Sequence, residues 1–268
     1  MPEGDTLFRT AAGLRPHLVS RRVMAARGRV PGPRLEAIVG AQVAAVDSQG
    51  KNLLIRFSNG LQLRTHLGMR GAWHRYPPGR RWRRPPGRAS VVLEVDGSVA
   101  VCFDASVAEL LEIRAEGLHP PLAGLGPDLL AEDFDPAEAV RRLRDPARAG
   151  LSIAEALLDQ RALAGVGNVI KSEALFLESA DPFAQVESLD DATLVRLVER
   201  ARTLLRANRG DGPRITTTPE LARAGRRLWV YGRKGRPCPR CRAPVASQRH
   251  GALPRITYWC PRCQGGGT

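Results

Sequence analysis

Lysine is nearly missing from this chain of 268 residues: Lys51, Lys171 and Lys234 are the only lysines among 41 basic residues. Acidic residues are also in deficit, 27 against those 41, which leaves a formal net charge of +14. Such an excess points to a polyanionic partner, because each cation that reaches a phosphate releases condensed counterions. Mutational drift toward arginine in a GC-rich genome is the competing explanation. Long apolar runs are absent too, and none approaches the about 20 residues that span a bilayer. The start, MPEGDTLFRTAAGL, has neither the basic nor the apolar segment of a secretory signal. The expectation is a soluble, cytoplasmic, nucleoid-associated monomer with no membrane partner. Cysteine is scarce, five in all, and four of the five lie between 238 and 263. That clustering excludes a dispersed disulfide framework and suggests a metal site. Cys102, alone in the apolar run from Val99 to Phe103, reads as a small core residue.

What is present divides the chain. Residues 5–19 carry Leu7, Ala11, Leu14 and Leu18 on one helical face, with Asp5 or Thr6 as cap. From about 20 to 115 the pattern turns to strands. LLIRF-SNG-LQLRT and SVVLEV-DG-SVAVCF are two hairpins turning at Asn59-Gly60 and Asp96-Gly97. Between them PPGRRWRRPPGR (77–88) reads as a mobile basic loop. Helical patterns follow at 136–144, 152–161, 169–178 and 190–207. The expected architecture is α+β in two domains. An N-terminal β-sandwich with an N-terminal helix fills 1–116, a linker 117–130, a helical domain 131–225 and a cysteine ribbon 226–268.

Cys238-Pro-Arg-Cys241, eighteen residues, then Cys260-Pro-Arg-Cys263 is the spacing of paired zinc knuckles. Each two-residue gap lets both thiolates reach one ion at about 2.3 Å, so one structural Zn2+ is expected and no organic cofactor. Leu163-Ala-Gly165-Val-Gly167-Asn168 allows a sharp turn with Asn168 at the cap of the next helix, and Lys171 one turn on adds a cation to that phosphate-type site.

Several segments together resemble the formamidopyrimidine-DNA glycosylase / endonuclease VIII family. They are Met1-Pro2-Glu3-Gly4, Gly50-Lys51-Asn52-Leu53-Leu54, Thr65-His66-Leu67-Gly68-Met69-Arg70-Gly71, His119-Pro120 through Asp128, Asp159-Gln160 through Asn168, Val230-Tyr231-Gly232-Arg233 to Cys238, and Arg255 to Gln264. The resemblance implies a helix–two-turn–helix domain, lesion-containing or double-stranded DNA as partner, and a bifunctional glycosylase and abasic-site lyase of base excision repair acting by β,δ-elimination. It implies catalytic roles for Pro2, Glu3, Lys51 and Arg255, and DNA contacts from Asn168, Gly68, Met69, Arg70, Lys171 and Arg233, with Met69 as leading candidate for filling the gap left by a flipped nucleotide. The chemistry of the start agrees. An α-amino group titrates near pH 8 and lysine near 10.4, so a terminal proline is the better amine nucleophile at neutral pH. Its secondary nitrogen forms an iminium that keeps its charge as an electron sink. Glu3 supplies a general acid beside it. The start resembles the endonuclease VIII branch, which favours oxidised pyrimidines, although Thr6 stands where that branch often has glutamate and Gly68-Met69-Arg70 where one branch has Gln-Leu-Tyr. A weakly catalytic relative that binds damaged or abasic DNA is the alternative, and a zinc-ribbon RNA-binding module a more distant one.

Overall fold

The computed structural model describes residues 2–28, 34–252 and 255–265. The chain folds as two compact units, Met1–Gly124 and Leu125–Thr268. Among the described residues no helix is long and apolar enough to cross a membrane.

The first unit opens with α1 (Gly4–Leu18) and continues through β1 (Val23–Gly28), β2 (Val43–Gln49), β3 (Asn52–Phe57), β4 (Leu61–His66), β5 (Ala72–Tyr76), β6 (Ala89–Val95), β7 (Ser98–Phe103) and β8 (Val107–Glu112). The strands form two four-stranded antiparallel sheets, ordered β1-β6-β7-β5 and β2-β3-β4-β8. Both expected hairpins are present. Gly60 and Gly97 turn them at φ +81° and +71°, a region that residues with a Cβ enter only under strain. Leu7, Leu14 and Leu18 of α1 join Val46, Ile55, Leu63, Leu93 and Cys102 in the core between the layers. Each fully buried Leu or Ile contributes about 1.5–3 kcal/mol, and a helix with four apolar positions on one face is held firmly.

The sheet β1-β6-β7-β5 is apolar on its other face as well. There Tyr76, Val92, Val99, Val101 and Phe103 make a second small core covered by Trp82. Trp82 stacks on Tyr76 at 6.2 Å and meets Phe103 edge-on at 5.8 Å. The loop 77–88, expected to be mobile, is therefore the structured cover of a sheet face. Reading it by polarity alone overlooked the tryptophan at its centre.

The first unit ends with the short α2 (Pro120–Ala123), and the second contains α3 (Pro136–Leu143), α4 (Ile153–Ala156), α5 (Asn168–Leu177), α6 (Asp191–Ala207) and α7 (Pro219–Arg223). The apolar stripe of α6 (Leu194, Leu197, Val198, Ala201, Leu204, Leu205) is at most 6% exposed. Helix 152–161 stops at Ala156 instead. Ser152 and Glu155 form a capping box that starts it. Asp159 then accepts from the Arg161 amide and from Arg148, so its side chain competes with helix continuation. Gln160 shapes the turn beyond, donating to the Leu158 and Val166 carbonyls and accepting from the Gly165 amide. The unit ends in a hairpin of β9 (Ala246–His250) and β10 (Arg255–Trp259), closed by α8 (Pro261–Gln264).

Candidate functional site

In the first unit, Pro2 and Glu3 stand at the start of α1. Glu3 is the N-cap residue and fully buried, and its carbonyl accepts from the Thr6 and Leu7 amides at 2.9 and 3.1 Å. Its side chain makes no cap bond to the helix. The Thr6 amide is also taken by Asp5 Oδ1 at 2.7 Å, which adds a second clamp on this first turn. Because Leu7 and Ala11 anchor α1 in the core, Pro2 and Glu3 are presented from a rigid base.

Lys51 lies in the β2–β3 turn, where Gly50 takes φ +56°. Beneath it Arg64 donates to Asn52 Oδ1 at 2.9 Å and pairs with Glu109, which in turn meets His119 at 3.1 Å. His66 ends β4 nearby. Burial, and then the Lys51 and Arg64 cations, hold its imidazole below its ordinary range, so it is neutral near pH 7. The Gly68 amide donates to His66 Nδ1 at 3.2 Å, and Ser106 Oγ lies 3.0 Å from the same nitrogen. Sequence reasoning quoted His66 within a motif without giving it a role. Its signal was a lone histidine between a lysine turn and an arginine strand.

The turn after His66 carries Gly68, Met69 and Arg70. Gly68 has φ +58°, and a Cβ there would meet Ser106 at 2.9 Å. The Gly71 amide closes the turn on the Leu67 carbonyl at 2.8 Å. Met69 is 61% exposed and Arg70 is exposed beside it. The turn is fixed while its large apolar side chain projects into solvent.

In the second unit α5 organises the site. Its N-cap is Gly167, and Asn168 is its first residue, one position later than the sequence reading had it. Asn168 Nδ2 donates to the Ile256 carbonyl at 2.7 Å, whereas Oδ1 is buried without a hydrogen-bond partner among the described residues. Lys171 departs from the expected phosphate-facing cation. It is 1% exposed and donates to Thr257 Oγ1 at 2.9 Å, because its face of α5 is the one that β10 covers. Glu173, which sequence reasoning missed, is fully buried and accepts from the amides of Trp229, Val230 and Tyr231 and from Thr216. Burial pushes its carboxyl up, opposed by the Thr216 hydroxyl and those amides. Arg255 is exposed at the start of β10. Arg233 donates to the Pro237 carbonyl at 2.9 Å and borders a cleft of about 340 Å³ with Arg226, Arg236 and Arg242.

The four cysteine sulfurs lie within 4.8 Å of one another. A tetrahedron of thiolates about 2.3 Å from one ion has S···S edges of about 3.8 Å. The pairs Cys238–Cys263 and Cys241–Cys260 are 3.9 and 3.4 Å apart, which fits a single metal ion. Burial, and then the neighbouring sulfurs Cys241 and Cys238, push the Cys260 thiol up, so a central cation is what would allow all four to ionise.

Comparison with known proteins agrees with this layout. Residues 1–106 match the family model described as formamidopyrimidine-DNA glycosylase N-terminal domain, and residues 125–218 the formamidopyrimidine-DNA glycosylase H2TH domain. The chain is 42% identical over 270 residues to "Probable endonuclease 8 2" of Streptomyces coelicolor, covering 99% of this chain and 95% of that protein. It is also 42% identical to "DNA-(apurinic or apyrimidinic site) lyase Nei2" of Mycolicibacterium smegmatis, covering 98% and 99%. Among solved structures, Lactococcus lactis formamidopyrimidine-DNA glycosylase, bound non-covalently to DNA containing an abasic site, superposes with a TM-score of 0.81 at 20% identity, covering 98% of this chain and all of that one.

Proposed function

From a chain that belongs to the formamidopyrimidine-DNA glycosylase / endonuclease VIII family, on its endonuclease VIII side, we infer a bifunctional DNA glycosylase and abasic-site lyase of base excision repair. The observation that carries this is Pro2 beside the fully buried Glu3 on an anchored helix start. Once Met1, which lies outside the described residues, is removed, the Pro2 nitrogen attacks C1′ of the damaged nucleotide and the base departs with the bonding electrons. Glu3 protonates the sugar ring oxygen as the ring opens, leaving a C1′ iminium. Loss of a C2′ proton into that sink breaks the C3′–O bond, and a second elimination breaks C5′–O.

Lys51 and Asn168, the latter in the first turn of α5 where the helix dipole favours anions, bind backbone phosphates. Arg255 assists the second elimination and Arg233 adds a backbone contact. Met69 enters the space vacated by the flipped nucleotide, with Arg70 beside it. One Zn2+ on Cys238, Cys241, Cys260 and Cys263 holds the β9–β10 hairpin in shape. The endonuclease VIII affinity of the sequence favours oxidised pyrimidines as substrates.

Borohydride trapping on abasic-site DNA tests the core of this. The processed protein forms a covalent adduct that Pro2→Gly weakens and one added N-terminal residue abolishes. Absence of any adduct with processed protein would leave a DNA-binding module without the chemistry.

A further inference from the structure

The loop 77–88 has no part in the chemistry just described, yet the first unit spends considerable structure on holding it. Trp82 is seated on Tyr76 and Phe103. The Arg83 amide donates to Tyr76 Oη at 3.0 Å. Arg84 and Arg88 both pair with Asp104, at 2.8 and 2.7 Å. Proline pairs at 77–78 and 85–86 stiffen both ends. Trp82, Arg84 and Arg88 are thus accounted for. Arg80, Arg81 and Arg83 remain on the outside, exposed and without an ion pair among the described residues. Three like charges held at close quarters with no counter-charge repel one another, a cost that an anionic ligand would relieve.

We propose that Arg80, Arg81 and Arg83 form an additional binding surface for the sugar-phosphate backbone of DNA, flanking the turn at residues 67–71. Three observations select this ligand. Arg84 Nη1 donates to the Arg70 carbonyl at 3.1 Å, so loop and turn are one mechanical piece. Arg80 is four residues from that clamp, at most about 14 Å of chain, or about four base-pair rises along the duplex. The surface also lacks an apolar centre. The exposed large hydrophobic residues among those described are Met24, Val39, Met69, Leu118, Ile215 and Ile256, none of them in the loop, and its one aromatic is turned inward. A protein interface would place an apolar anchor inside its charged rim, whereas a backbone-binding surface needs cations alone. The placement next to DNA rests on the reading that the turn carrying Met69 enters the helix at the lesion.

The test is the salt dependence of binding to a labelled duplex carrying a tetrahydrofuran abasic-site analogue. Arg80→Ala/Arg81→Ala/Arg83→Ala is compared with wild type and with Arg141→Ala/Arg142→Ala/Arg196→Ala, which removes the same charge from helix surfaces. If each loop arginine neutralises one phosphate, the slope of log K against log salt falls by about 2.7, and the affinity deficit of the loop variant widens about 40-fold between 200 and 50 mM salt. The helix-surface variant keeps the wild-type slope. An unchanged slope in the loop variant, or an equal fall in both variants, overturns the proposal, the first result leaving the surface to an acidic protein. Borohydride trapping of wild type is read in parallel and reports on the chemistry at Pro2 alone, so failure of that reading and failure of this one are separate results.

Discussion

Lys171 illustrates how a residue's surroundings override its type. In a chain that uses arginine at all but three basic positions, a lysine one turn into a glycine-led helix invites assignment to a phosphate, yet this one is buried against Thr257. Lys171→Ala is expected to cost about 1–3 kcal/mol in chemical denaturation, from the hydroxyl left unpaired in a buried site. It is also expected to leave the salt slope of DNA binding intact, whereas a phosphate-binding lysine would lower that slope by about one. Glu3→Gln should lose base excision more than lyase action on a preformed abasic site, measured by parallel single-turnover assays; equal losses would remove Glu3 as the glycosylase acid. His66 has a folded-state pKa below its ordinary value, so the unfolded chain binds the proton more readily. Stability from this group is present above about pH 6.5 and declines as pH falls below it. Denaturation midpoints between pH 7 and pH 5 should show the fall, and His66→Gln should flatten it.

At the scale of elements, α5 does more than its sequence suggested. It fastens β10 through Asn168 and Lys171 and the segment before the first knuckle through Glu173. Glu173→Gln places an amide NH2 where backbone donors converge. A loss of several kcal/mol is expected, on the scale of breaking a buried charged network, together with faster release of metal to a chelator. Elements with strong local signals were legible beforehand. Both hairpins announced themselves by Asn-Gly and Asp-Gly, and α1 and α6 by their apolar stripes. The helix at 152–161 was overextended because Leu157 and Leu158 continue the apolar spacing while Asp159 and Gln160 end it through side-chain bonds that no periodicity records. The role of Glu173 was hidden for a related reason, since its partners lie tens of residues away, and that of Trp82 because one of its two ring partners, Phe103, comes from a later strand.

For the whole molecule, the charge excess seen in composition separates into groups with different duties. Part is internal, as in Arg64 with Glu109 or Arg148 with Asp159. Part has no ion pair among the described residues, on loop 77–88 at Arg80, Arg81 and Arg83 and around the cleft of Arg226, Arg233, Arg236 and Arg242. Binding to duplex DNA should therefore weaken steeply with salt, and stripping the metal with a chelator should weaken it further by disordering the β9–β10 hairpin. Anisotropy titrations with and without chelator check both; identical affinities would detach the ribbon from DNA binding. The knuckles were legible in the sequence because their chemistry is written in spacing, whereas which arginines remain available to a ligand depends on where their carboxylate partners fall in three dimensions.

The fifth cysteine has a practical use. Cys102 is wholly enclosed between the two sheets, and burial, followed by the Asp104 charge, pushes its thiol far above the range in which thiolate forms. An alkylating reagent will therefore leave it untouched in native protein. Once the knuckle sulfurs are held by metal, the slow appearance of a single labelled mass clocks the opening of the first unit, read in the intact protein without introducing any probe.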